Sequence, residues 1–376
     1  MRPGLRISAP GRGALVLLRR WRQCSLFLVV LICYDFALTS RDCKSGGCPM
    51  QKDLVAGILI LNWNGSDLLR RYLPSVVAAA DRSGTAVAVA DNGSTDDSVQ
   101  FLEANYPSIR TIRLGENHGF AKGYNLAIRQ VQWDVVVLLN NDMAVERDFL
   151  EHMLAPFQHE APPFATTAQI MFEDPQAHRA ETGRTCARFQ RGQVEVTHLP
   201  IESEEEIEPV FYLGGGSSAV SREKFLQLGG FEELFSPFYY EDTDISWRGR
   251  KQGWPILFVP KARVIHRWHA STDKLGESYL DCIVARNRVL FTWLNLHDRR
   301  MWLLHLLWFP YYCARLTLRA VRDFPHERSS LRGVALALRL APAVYRRRRA
   351  RRRSAVVGDR EIFAYFNQLW SGSQPK

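Results

Sequence analysis

The sequence predicts an α/β protein with a mainly parallel central sheet flanked by helices and a helical, basic C-terminal extension. Three observations carry this. Between residues 54 and 157, strand-length runs alternate four times with stretches of helical spacing, the pattern of strand–helix crossover units. The strand runs end in the polar clusters NWNG, DNGSTDD, GENHG and NND. In a parallel sheet such ends share one edge, where ligands bind. The charge is also segregated: residues 50–300 hold 26 basic and 33 acidic side chains, whereas 301–353 hold 13 and 2. An acidic body is a poor binder of phosphate backbones, so nucleic acid is excluded as a partner.

The leader, residues 1–49, has 8 basic and 2 acidic residues. Arg19, Arg20 and Arg22 precede an apolar run from Cys24 to Leu38 that contains Asp35. Its length falls short of the about 20 residues a spanning helix needs and is nearer to a signal-peptide apolar region. A signal or anchor and a short membrane-contacting helix are both open. The preferred expectation is that the segment is not native and that translation starts at Met50, just before the first strand. Seven cysteines, an odd number without paired spacing, argue against a disulfide framework and for a reducing compartment.

Residues 54–61, LVAGILIL, read as a buried parallel strand. Leu68, Leu69, Tyr72, Leu73, Val76 and Val77 have helical spacing over 67–80. Thr85–Ala90 is the second strand, and Ser94 or Thr95 can cap the helix that follows. Ile109–Leu114 is the third strand, with a helix from about Phe120 to Gln130. Val135–Leu139 is the fourth and ends at Asn140-Asn141-Asp142, ahead of a helix over 146–157. Residues 160–210, with Pro162-Pro163 and Glu202, Glu204, Glu205, Glu206 and Glu208, read as a solvated insertion. Then come Gly214-Gly215-Gly216, a helix over 221–228, and the segment Phe238-Tyr239-Tyr240-Glu241-Asp242-Thr243-Asp244, which opens a helix carrying Trp247. Ile256–Val259 is a strand, and Arg263-Val264-Ile265-His266 ends the body.

The chemistry rests on separated carboxylates at the sheet edge. Asp142 can hold Mg²⁺ or Mn²⁺, which commonly take one or two carboxylates plus substrate phosphates. Asp91 can accept hydrogen bonds from a base or ribose. Asp242, between an aromatic stretch and a helix start, can serve as general base. His266 can add a metal or phosphate ligand. Each has a bland counterpart: Asp91 in a turn, Asp142 or Asp242 as a helix cap, His266 as a structural side chain. The chain has no GxxxxGK[ST], GxGxxG or GxSxG motif, which removes the P-loop, dinucleotide-binding and hydrolase readings.

Taken in order, these motifs resemble those of family 2 glycosyltransferases with the GT-A fold, most like the bacterial rhamnosyltransferase-like branch, over about residues 53–295. ILNWNG is similar to the family's first strand and loop, with Asn64 toward the nucleotide. VADNGSTDDS is similar to the second, whose aspartate, here Asp91, contacts the base. ENHGFAKGYNLAI resembles the N-x-GFA segment and implies Asn117, Gly119, Lys122 and Asn125 near the nucleotide. LLNNDMAV resembles a DxD-type metal motif in which only Asp142 is acidic, with Asn141 on the nucleotide-sugar. In GGFEELFSPFYYEDTDISW the resemblance implies that Asp242 is the base, with Glu241, Asp244 and Trp247 as acceptor-side support. VIHRWHAST resembles the following His motif, which points to His266 as a metal ligand ahead of His269.

The resemblance implies inverting transfer of one sugar from a nucleotide-diphospho-sugar to a glycan hydroxyl, in cell-surface polysaccharide biosynthesis. It leads first to deoxythymidine-diphosphate-rhamnose (dTDP-rhamnose) as donor, with uridine-diphosphate (UDP) sugars close behind. A QxxRW motif is missing at Arg267-Trp268, which favours single addition over polymerisation. A sugar nucleotidyltransferase would want a Gly-rich basic loop after the first strand, and a silent scaffold would not need all three aspartates. The expected organisation is 50–157 as the nucleotide-binding half, 158–295 as the acceptor half and 296–376 as the extension. In the extension, MWLLHLLWFPYYC at 301–313 and the arginines from Arg315 to Arg353 suit an anionic membrane surface. The expected placement is cytoplasmic, on the inner face of the cell membrane, beside a lipid-linked acceptor.

Overall fold

The computed structural model describes residues 54–173, 182–266, 276–322 and 325–372; the leader and His269 lie outside them. The chain order is β1 (Ala56–Asn62), α1 (Ser66–Ser83), β2 (Ala86–Asp91), α2 (Ser98–Asn105), β3 (Arg110–Arg113), α3 (Gly119–Gln130), β4 (Val135–Asn140), β5 (Met143–Val145) and α4 (Phe149–Leu154). Then follow β6 (Ala165–Phe172), β7 (Thr185–Gln190), β8 (Gln193–His198), β9 (Glu208–Pro209), β10 (Ser217–Ser221), α5 (Arg222–Gln227), α6 (Glu241–Lys251) and β11 (Ile256–His266). Four helices close the chain: α7 (Glu277–Asn295), α8 (Arg299–Val321), α9 (Pro325–Ser354) and α10 (Asp359–Gly372).

The main sheet has the order β3-β2-β1-β4-β10-β6-β11-β5, with β9 also on β11. Pairing directions make β3, β2, β1, β4, β6 and β11 run one way, while β10, β5 and β9 run opposite. Period-2 alternation splits the apolar strands between two core layers. Ile58, Ile60, Val137 and Leu139 pack with Leu69, Leu73 and Val76 of α1. Leu59, Val136 and Leu138 pack on the other face with Ala121, Tyr124 and Ile128 of α3. The chain leaves β1 toward β2 and β3, then returns on its other side as β4. That reversal opens a crevice at the carboxyl ends of β1 and β4.

The four expected strand–helix units are present. Two central strands were not expected. β6 lies inside the 160–210 segment, and β10 sits antiparallel between β4 and β6. Ser217 and Ser218 of β10 are buried, so small polar residues fill a strand with no apolar signature. The acidic run is also not merely solvated. Glu202 and Glu208 pair with buried Arg184, and Glu204 with Arg263. Nor does Ser94 or Thr95 cap α2. Asp96 accepts from Ser66 N (3.0 Å) and Ser98 N (3.1 Å), serving the first turns of α1 and α2 together. The 301–313 run forms the first part of a longer helix, since α8 continues through Pro310 to Val321.

Candidate active site

Asp91 ends β2 in register with Asn62 of β1. Its Oδ2 accepts from Ser94 N at 3.2 Å, and its buried Oδ1 has no partner among the described residues. A buried acceptor without a donor costs about 1–3 kcal/mol, which a ligand hydroxyl or base N–H would recover. Beside it Gly93 has φ +74°, and a Cβ there would stand 2.6 Å from the Glu116 backbone. Only glycine lets the 91–95 and 115–119 loops meet this closely. Asn92 then joins them: its Nδ2 donates to Asn117 Oδ1 (3.1 Å) and Gly119 O (3.2 Å), and its Oδ1 accepts from His118 N (3.0 Å). Asn92 is an organising residue that the sequence reading passed over, because DNG alone reads as a turn.

The predicted nucleotide-side residues divide by role. Asn117 is exposed on this loop, and Lys122 is half-buried on the first turn of α3. Asn64 spends its carbonyl on Thr95 N at 2.7 Å and so shapes the loop. Asn125 is buried: its Nδ2 donates to Phe231 O (2.9 Å) and its Oδ1 accepts from Phe231 N (2.8 Å). It therefore ties α3 to the loop around Phe231, with both ends of its amide held by the Phe231 backbone. Asn141 Nδ2 donates to Asn62 Oδ1 at 2.8 Å, linking the ends of β4 and β1.

Asp142 occupies the turn between β4 and β5. Because Met143 of β5 pairs with His266 of β11, Asp142 Oδ1 comes to 3.4 Å from His266 Nε2. That oxygen is buried and takes no hydrogen bond among the described residues. A carboxylate oxygen and an imidazole nitrogen held this way fit a divalent cation that takes its remaining ligands from a diphosphate. Among the described residues no group of three or more His, Cys, Asp or Glu side chains could hold a metal.

Asp242 lies in the first turn of α6. Its Oδ1 accepts from Thr243 N (2.6 Å) and Thr243 Oγ1 (3.2 Å), and the Gly215 amide also reaches the carboxylate. Burial pushes its pKa above the ordinary aspartate range despite these bonds. Glu241 is more buried still; burial first, then the charges of Asp242 and Asp244, raise it well above its usual value. Asp244 goes the other way. Burial alone would raise it, but Arg351 and Arg248 outweigh that and hold it low. The glycine triplet sets the spacing: a Cβ on Gly216 would strike the Asn140 side chain at 2.1 Å, and one on Gly215 would meet the Phe120 ring at 3.2 Å and Asp242 Cβ at 3.5 Å. Phe120 N in turn donates to Pro237 O at 3.3 Å. Phe120 at the start of α3, Asn140 at the end of β4, and Asp242 thus converge on the 214–216 loop.

The segment before Asp242 is strained. Tyr239 and Tyr240 have φ of 70° and 76°, a cost of about 1–3 kcal/mol each. Fully buried Asn287 of α7 restrains them, its Nδ2 lying 2.8–3.0 Å from the carbonyls of Phe235, Phe238 and Tyr239. Trp247, expected on the acceptor side, is buried: its Nε1 donates to Asn295 O at 3.2 Å and its ring packs on Phe211, Phe291 and Phe363. It supports α6 from behind.

The parallel-to-mixed sheet and its strand-edge carboxylates define a GT-A glycosyltransferase architecture. Its fold matches the crystal structure of GalNAc-T7 with UDP, GalNAc and Mn²⁺, with a TM-score of 0.54 and 18% identity over 66% of this chain and 49% of that one. The "Glycosyltransferase like family 2" model matches residues 56–284, and the chain belongs to that family. An N-acetylglucosaminyl-diphospho-decaprenol L-rhamnosyltransferase of Mycobacterium tuberculosis is 28% identical over 74% of this chain and 94% of its own length. A low-salt glycan biosynthesis hexosyltransferase of Haloferax volcanii is 22% identical over 65% of this chain and 78% of its own. The protein is a family 2 glycosyltransferase.

Proposed function

We propose that the enzyme transfers one sugar, with inversion, from a nucleoside-diphospho-sugar to a hydroxyl of a lipid-linked glycan. The donor reading is dTDP-rhamnose first and a UDP-sugar second; the mycobacterial relative supports rhamnose and a lipid-diphosphate acceptor. The observation that carries the mechanism is Asp242 pinned against Gly215, on the loop that backs Asn140 beside Asp142. Asp242 accepts the acceptor hydroxyl proton as that oxygen bonds the anomeric carbon from the side opposite the diphosphate. The bond from that carbon to the diphosphate breaks, and the pair of electrons leaves with it. Asp91 accepts from the base or ribose. Asp142 and His266 would hold Mg²⁺ or Mn²⁺, which would supply positive charge to offset that of the diphosphate. Residues 50–157 serve as the nucleotide half and 158–295 as the acceptor half.

The reading is tested by incubating the full chain with a polyprenyl-diphosphate-linked N-acetylglucosamine and a donor series. Acceptor-dependent release of nucleoside diphosphate from one donor is expected. Release of pyrophosphate instead, as from a nucleotidyltransferase, or no turnover with any donor overturns it.

The same reading places residues 296–376 on an anionic membrane surface at the cytoplasmic face. Among the described residues no helix is long and apolar enough to cross a membrane. Along α8, however, Leu303, Leu307, Tyr311, Leu318 and Val321 share one side and stand 57–78% exposed, with exposed Arg315 and Arg322 on its flank. Such a stripe with a basic edge suits the headgroup boundary. Flotation of the full chain is expected with anionic vesicles and strongly reduced with neutral ones. Leu307→Asp with Leu318→Asp should abolish it; equal recovery from both vesicle types counts against the assignment.

A further inference from the structure

Arg351 belongs to an arginine run that, by sequence, reads as part of the basic membrane foot. In the fold its side chain is only 12% exposed. From the last turn of α9, its Nη1 donates to Asp244 Oδ1 (2.5 Å) and Asn295 Oδ1 (2.8 Å), and its Nη2 donates to Glu232 Oε2 (2.8 Å). Asp244 is fully buried and also accepts from Arg248 Nε (2.8 Å) and Asn295 Nδ2 (2.7 Å). Arg248 spends its other nitrogens on Leu228 O and Gly230 O, both at 2.7 Å. Two acids, Glu232 and Asp244, thus face three arginines: Arg248 and Arg351 on Asp244, and Arg351 with the more exposed Arg347 (Nε 3.2 Å from Oε1) on Glu232. Removing one partner of such a set leaves a buried charge uncompensated.

The chain just beyond Arg351 holds the other end of the same helix. Val356 N and Val357 N donate to Lys251 O at 2.8 and 2.9 Å, satisfying a terminal carbonyl of α6. Lys251 Nζ pairs with buried Asp359, whose Oδ2 also accepts from His297 N at 2.6 Å. Residues 351–359 therefore splint α6, the helix that presents Asp242, at both ends.

We propose that Arg351 is a positioning residue for transfer: acting through Asp244, it fixes the first turn of α6 and so the direction in which Asp242 faces the acceptor. This rests on Asp242 being the base. A displacement of about 1 Å in a reacting group can cost about 10²-fold in rate. Arg351→Met in the full chain is expected to lower kcat about 10- to 100-fold with donor KM changed less than about 3-fold. Arg351→Lys, which keeps the charge but not the fork, should recover part of the loss. With Arg351 gone, Arg347 still faces Glu232 but Asp244 keeps only Arg248 of its two cationic partners, so more negative charge remains beside Glu241 and Asp242. The acid limb of kcat/KM should then move to higher pH.

A double-mutant cycle decides between positioning and general support. If Arg351 acts through Asp244, then Arg351→Met in an Asp244→Asn background costs less than about 2-fold more. An undiminished further loss there, or wild-type kcat in Arg351→Met, overturns the proposal. So does a kcat loss that follows a matching loss of folded protein in thermal unfolding. Should Arg351→Met not fold, Arg351→Lys decides: a fall in kcat at constant KM supports the proposal and wild-type kcat overturns it. An inactive Asp242→Asn beside a fully active Arg351→Met would sink this proposal and leave the mechanism standing. An active Asp242→Asn would sink both.

Discussion

Asp242→Asn is expected to lower turnover by about 10³-fold while nucleoside-diphosphate affinity stays within about 2-fold. Asparagine is isosteric and can still accept from Thr243 and Gly215, so the first turn of α6 should keep its shape. What is lost is the site that takes the hydroxyl proton. The pH profile adds a second check. Burial raises the Asp242 pKa, and the base works only when unprotonated. In the wild type, kcat/KM should therefore fall as pH drops through a value above the ordinary aspartate range. Residual activity of the variant should lack that limb. Glu241 gives the contrast. Burial raises it further, so Glu241→Gln imitates its protonated form and should cost far less than Asp242→Asn. Near-normal turnover in Asp242→Asn, measured by acceptor-dependent nucleoside-diphosphate release, would refute the role.

Much of this site was legible because it depends on strand ends. Runs such as LVAGILIL and VVVLL, short and bounded by polar turn residues, read as buried strands, and parallel topology then brings their last residues to one edge. That logic placed Asp91, Asn141 and Asp142 correctly with respect to the sheet. It failed where packing, not periodicity, makes the strand. SSAVS of β10 and ATTAQIMF of β6 carry too little apolar signal, yet both are central because serine, threonine and alanine fit between neighbours on two faces. Side chains that act through long-range bonds were equally hidden. Asn92, Asn287 and Arg351 each meet partners 25 to 119 residues away. No local pattern separates them from a turn residue, a helix-surface amide or a basic tail. Arg351 shows the sharpest case. Its arginine neighbours Arg349, Arg352 and Arg353 remain on the surface or rim, so the run as a whole does read as solvated.

Asp142→Asn should separate activity from stability. In the fold, Asp142 Oδ1 is buried, takes no hydrogen bond among the described residues, and stands 3.4 Å from His266 Nε2. A carboxylate kept in this state costs about 1–3 kcal/mol, and an amide should cost less. The variant is therefore expected to unfold at or slightly above the wild-type temperature, as when a site residue is held at the expense of stability. Its activity should move the opposite way. A divalent cation bound there with the diphosphate would have lost the anionic ligand that Asp142 supplies, so Mn²⁺ affinity in the presence of nucleoside diphosphate should fall about 10- to 100-fold. Transfer should fall by at least as much. His266→Ala should weaken the cation less, because it removes a neutral ligand and leaves the charge. The measurements are calorimetric Mn²⁺ titration of the full chain with nucleoside diphosphate, Tm, and transfer rate across Mn²⁺ concentration. An Asp142→Asn protein with lower Tm and unchanged Mn²⁺ affinity would make Asp142 a structural residue. Transfer by the wild type that persists after exhaustive chelation would remove the cation from the mechanism altogether.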